Sequence, residues 1–81
     1  MDPQQWFVTA RFIDTRHPLG REPLGVNHAR RSGSDVAECG QRVGGWPIFW
    51  HLSFTKAPKS VACRDCAQAV AVSQRRHRVV A

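Results

Sequence analysis

The sequence predicts a small α+β domain, and three observations carry that expectation. Residues 46–54 alternate side-chain character with the period of a strand. Residues 64–76 are rich in Ala and Val and open on Cys63-Arg64-Asp65-Cys66, as a C-terminal helix would. At 81 residues the chain is one domain of a size that usually needs a metal ion, disulfides or a partner to hold its fold.

Taken in order, residues 1–25 form an N-terminal strand and a Pro/Gly-containing loop that pack on or extend from the rest, and residues 26–81 form the main domain. Asp2, Pro3 and Gln5 would suit the start of a helix. Against that, Trp6, Val8, Ala10 and Phe12 alternate among aromatic and β-branched neighbours, and a strand is preferred over residues 4–14. Pro18, Gly20, Pro23 and Gly25 then mark residues 15–25 as a loop.

A hairpin follows, with strands Val26 to Arg30 and Asp35 to Cys39 around a turn through Ser32-Gly33-Ser34. A loop with an even number of residues puts His28 and Cys39 on one face; with Ser32 and Gly33 alone in the loop, Ala37 lies opposite His28. Gly40 lets the backbone curl behind Cys39. In the strand Trp46 to Phe54, Ile48, Trp50, Leu52 and Phe54 share one face and Phe49, His51 and Ser53 the other, so its aromatic side chains should supply core. A basic loop over residues 55–60 leads to the helix, which runs from about Arg64 to Arg76 with Ala67, Val70, Ala71 and Gln74 along a stripe below Cys66.

Two sulfurs spaced C-x-x-C, one in a turn and one on the first helical turn, point at a common centre. Cys39 and His28 complete a set of one imidazole and three thiolates, a closed tetrahedral shell for one structural zinc ion per chain. Buried cysteines with no ligand role are the plainer alternative, but the spacing, the Cys39-Gly40 pair and the short chain favour the metal. His17, His51 and His77 compete for the fourth position; His28 is preferred because a hairpin carries it to Cys39 without long-range help. A helix N-terminus and Arg64 would also suit a redox-active dithiol, yet no βαβ pattern surrounds it and the third cysteine would be left over.

Four protein ligands leave no position for water or substrate, so no enzyme and no small-molecule substrate are expected. Were His28 not a ligand, Glu38 beside an open metal would bring hydrolysis back into question. There is no apolar run of membrane-spanning length and no secretory signal, and unpaired cysteines point to the reducing cytoplasm.

The 12 Lys and Arg outnumber the 6 Asp and Glu, a formal charge of +6. The basic residues fall into three groups: Arg30 and Arg31 at the hairpin tip, Lys56 and Lys59 before the C-x-x-C, and Arg75, Arg76 and Arg78 at the end of the helix. Such groups attract nucleic acid or a nucleic-acid-associated complex such as RNA polymerase or the ribosome; a solvated face is the plain alternative. The expected function is that of an accessory or regulatory factor docking there, and the competing one is a protein-interaction adaptor or zinc-thiolate redox switch.

The order His28, Cys39-Gly40, then Cys63-x-x-Cys66 opening a helix resembles the short His-Cys-Cys-Cys zinc proteins of actinobacteria and their phages, over residues 26–72. In outline it is similar to a zinc-ribbon or treble-clef knuckle. The resemblance implies a zinc-stabilised fold and little about activity. Zinc-containing anti-sigma factors share the ligand types but place the histidine just before the C-x-x-C within a helix, which this chain does not.

Overall fold

A computed structural model describes residues 5–16 and 22–79 of the chain. The architecture is α+β: strands β1 (Phe7–Thr9), β2 (Phe12–Asp14), β3 (Glu22–Leu24), β4 (His28–Arg30) and β5 (Ile48–Ser53) form two antiparallel sheets, and one helix, α1 (Arg64–Val79), closes the chain. The larger sheet has the order β4-β1-β5, so the N-terminal strand is its middle member. Val8 and Thr9, which face opposite ways on this strand, are both fully buried, so the sheet is covered on both faces there. Thr9 tolerates burial because its hydroxyl donates to the Pro47 carbonyl at 2.7 Å.

The alternation of Trp6, Val8 and Ala10 is real, and all three are buried. The single strand expected over residues 4–14 is instead two: the chain leaves the first sheet after Thr9, and Phe12–Asp14 pairs with Glu22–Leu24 in the second. The loop expected over 15–25 therefore contains a strand; Pro23 is compatible with it because a two-stranded sheet consists only of edges. Residues 1–4 and 17–21, which include Asp2, Pro3, His17, Pro18 and Gly20, lie outside the described residues.

The hairpin after β3 also differs from expectation. Its return limb is not a strand: Ala37 meets Arg30, not His28, and Glu38 donates to Ala29 O at 2.9 Å. Residues 31–36 separate Arg30 from its partner Ala37, an even-numbered loop but a longer one than Ser32 and Gly33. Ala37 to Gln41 then curl into a tight turn, closed by Gly40 N to Ala37 O and Ala37 N to Gln41 O, each 2.9 Å. Gly40 sits at φ 95° within it, where an L side chain would be strained.

On β5 Phe49 supplies core as expected of the strand's aromatic side chains, but Trp50, which is 56% exposed, does not. With Phe49 inward, strand alternation turns Trp50 outward; beyond it the register slips, since Val8 pairs with Phe49 but Phe7 pairs with Ser53, so residues 50–52 bulge away from the ladder and the alternation is lost from His51 on. Phe54 regains the interior by entering a 3₁₀ turn, Phe54–Lys56, while its N–H holds Trp6 O at 2.9 Å. Phe49, Phe54, Trp6, Val8 and Val43 pack with Cys66 and Val70 of α1 into one core. On α1 the inward stripe is Cys66, Val70 and, half-buried, Ala69 and Ser73; Ala67, Ala71 and Gln74, expected inside, are exposed.

Candidate metal centre

β4 is an edge strand on the side away from β1, and its outer edge is where the site is built. Read along that edge, Asn27 N donates to Val61 O at 2.7 Å and Asn27 O accepts from Cys63 N at 2.7 Å. The Ala29 N–H faces the Cys66 sulfur and lowers its thiol pKa, and Ala29 O accepts from Glu38 N at 2.9 Å. Successive hydrogen-bonding groups of a three-residue stretch thus fix the segment before the C-x-x-C, the C-x-x-C itself and the turn that carries Cys39. Cys63 O then accepts from Ala67 N at 2.9 Å, so the first cysteine caps the helix that bears the second.

His28 opens β4, and the Trp46 ring packs edge-on against its imidazole with centroids 5.6 Å apart. The imidazole Nδ1 lies 3.6 Å from Cys39 Sγ and 3.7 Å from Cys66 Sγ. The ligand atoms of His28, Cys39, Cys63 and Cys66 all fall within 4.8 Å of one another. A tetrahedral centre with bonds of about 2.3 Å to sulfur and 2.0–2.1 Å to nitrogen separates N from S by about 3.6 Å and S from S by about 3.8 Å. The four residues therefore fit a metal ion, and Nδ1 is the imidazole nitrogen turned toward it.

The electrostatics match that use. Burial lowers the His28 pKa, which favours the neutral ring with a lone pair to give. Burial, with the neighbouring Cys39 and Cys63 side chains adding to it, pushes the Cys66 thiol up to about 12, while N–H donors from Ala29 and Cys39 pull the other way. Without a cation the Cys66 thiol resists ionisation; a bound dication would reverse that balance and displace its proton.

No protein-family model, no curated protein and no solved structure matches this chain. The likeness to His-Cys-Cys-Cys zinc proteins thus stands on the four residues and their order alone. Among the other histidines, His51 sits 3.5 Å from Glu22 Oε2 and outside the cluster, and His17 and the His77 side chain lie outside the described residues.

The basic residues do not behave as one set. Arg30, expected at an exposed hairpin tip, is 6% exposed, and its guanidinium donates to the carbonyls of Ser34, Val43 and Trp46. It is a brace for the 34–46 loop and is unavailable to a phosphate. Arg31 pairs with Glu38 at 3.0 Å beside the Trp6 ring. Lys56, Lys59, Arg64 and Arg75 are exposed, and Arg76 and Arg78 lie in α1 with side chains outside the described residues. Arg64, beside the cysteines in sequence, lies on the exposed side of α1's first turn and shares a depression with Lys59. Among the described residues no helix is long and apolar enough to cross a membrane.

Proposed function

We propose that His28, Cys39, Cys63 and Cys66 hold one zinc ion as a structural centre, and that the chain is a non-enzymatic accessory or regulatory factor of the cytoplasm. Three soft thiolates and an imidazole are a donor set that suits zinc and is unsuited to magnesium or calcium. All four positions being taken by protein supports a structural role over a hydrolytic one. When bound, the ion ties three segments distant in sequence; the residues do the rest by presenting surface.

That surface, in this reading, docks on nucleic acid or on machinery that works on it, such as RNA polymerase or the ribosome. The observation that carries the reading is the set Lys56, Lys59, Arg64 and Arg75. Each is exposed and free of any ion pair among the described residues, and all four lie on the 54–75 segment that the metal cluster anchors. Lys59 borders both the depression beside Cys63 and Arg64 and the groove along α1, which joins the lysines to the helix.

The test is titration of the zinc-loaded chain with a fluorescent single-stranded oligonucleotide across a salt series. About four phosphate contacts give a log–log slope near −3 with single strands, flattened in Lys56→Glu/Lys59→Glu. Absence of binding at low salt, or a slope near zero, rejects nucleic acid as the ligand. A protein-interaction adaptor is the second reading, and the apolar groove beside α1 favours it.

A further inference from the structure

The face of α1 that does not enter the core borders a groove of about 550 Å³, facing the 54–62 segment. Phe54, Ala57 and Ala62 line it from that segment and Ala67, Val70 and Ala71 from the helix; Lys59 is the single charged residue of the lining, and no acidic residue contributes. Phe54 and Val70 are about 95% buried and belong to the core, so they form a floor, while alanines on both sides leave a recess above it. The volume lies in the range of sites that receive bulky side chains.

The charges around this recess are arranged along the helix. Arg64, Gln68, Ala71 and Arg75 recur at spacings of 4, 3 and 4 and so share one stripe of α1 on the solvent side of the groove. Arg64 and Arg75 stand at its two ends, about 16 Å apart at the helical rise, and Lys59 stands on the opposite wall. Both arginines are exposed and unpaired among the described residues. A second copy of this chain is a poor occupant, because two such faces would bring the cations of one onto those of the other in a chain of charge +6.

We propose that this groove binds an acidic amphipathic segment of a partner protein. Bulky apolar side chains of the segment, spaced one helical turn apart, seat over Phe54 and Val70 between the alanines, and its carboxylates meet Lys59, Arg64 and Arg75. The assignment needs the metal-held fold but not the nucleic-acid reading. Were both correct, the partner would be a protein component of the machinery rather than the nucleic acid itself.

The experiment is panning of a displayed library of random 16-residue peptides against the full zinc-loaded chain, with Ala71→Arg as counter-selection. Ala71 is exposed, and a retained Co(II)–thiolate spectrum establishes that Ala71→Arg keeps the centre. The expected outcome is enrichment of sequences with Leu, Phe or Trp at i and i+3 or i+4 and Asp or Glu between them. Synthetic copies should then lose at least tenfold in affinity to Ala71→Arg and to Lys59→Glu, and peptides with Lys in place of Glu should recover binding to Lys59→Glu. Enrichment of basic or purely polar sequences, binding indifferent to Ala71→Arg, or no enrichment at all overturns the proposal. Oligonucleotide titration of Ala71→Arg separates the two readings: a groove that fails while oligonucleotide binding persists leaves the nucleic-acid reading standing, and the reverse leaves the groove.

Discussion

The two outer edges of the β4-β1-β5 sheet are built on different physics. Along β4, the groups that an edge strand leaves open are taken up by Val61, Cys63, Glu38 and the Cys66 sulfur, and only Ala29 and Arg30 of its three residues are buried. Along β5, Phe49 is inside by side-chain packing, while Trp50, His51 and Ser53 face solvent past a register slip. The first edge is covered by irregular chain tied to it through backbone hydrogen bonds and four converging His and Cys side chains; the second stands on the aromatic core. In a small chain, the candidate metal centre and the core thus divide the sheet between them.

The largest expected effect breaks the β4 edge. Chelation of the metal, or Cys66→Ser, should unfold the 34–46 and 57–66 segments and collapse their amide dispersion, since structural zinc sites contribute on the order of 10 kcal/mol. Loss of dispersion confined to the β5 side would reverse the comparison. Phe49→Ala attacks the other edge and should cost about 3–5 kcal/mol in denaturant unfolding of the loaded protein, with the Co(II)–thiolate spectrum of the folded state unchanged.

Arg30→Met sharpens the division. It strands buried carbonyls of Val43 and Trp46 at about 1–3 kcal/mol each, lowering stability while leaving the salt slope of oligonucleotide binding where it was, because Arg30 is a brace and not a contact. Gly40→Ala is expected to cost about 1–2 kcal/mol from the left-handed backbone alone, since a Cβ there meets nothing within 4 Å. Acid acts on the same corner. The His28 pKa is lowered by burial, so its contribution is present above the ordinary histidine value and is lost as pH falls through that value to the folded one. Protonation of ligands releases metal in the same direction, and a pH titration of bound metal should show release on the acid side. Trp50→Ala, last and smallest, removes the edge-on contact with Phe7 at 4.8 Å and should cost about 1 kcal/mol.

Some of this was readable in advance for local reasons. Cys63 and Cys66 announce a shared centre because three residues span one helical turn, and Gly40 marks the turn behind Cys39 because only a glycine enters φ 95° without strain. The alternation of Trp6, Val8 and Ala10 and the start of α1 at Arg64 depend on neighbours in sequence. Arg30 shows the converse: spacing alone places it as a solvated cation at a hairpin tip, but the 34–46 loop folds over it and supplies carbonyl partners.

The sequence by itself determined the fold class, the C-x-x-C pair and the excess of positive charge, because each follows from residue type and short spacing; which histidine joins Cys39, Cys63 and Cys66 was decided by the fold, which brings His28 to them. Only the tertiary structure decided that β1 is the central strand, that Phe49 and not Trp50 turns inward, and that Ala67 and Ala71 line an open groove. Those outcomes depend on which strands pair and where the register slips. Pairing is set by contacts between segments tens of residues apart, and period-2 or period-3.6 patterns within a segment do not encode it.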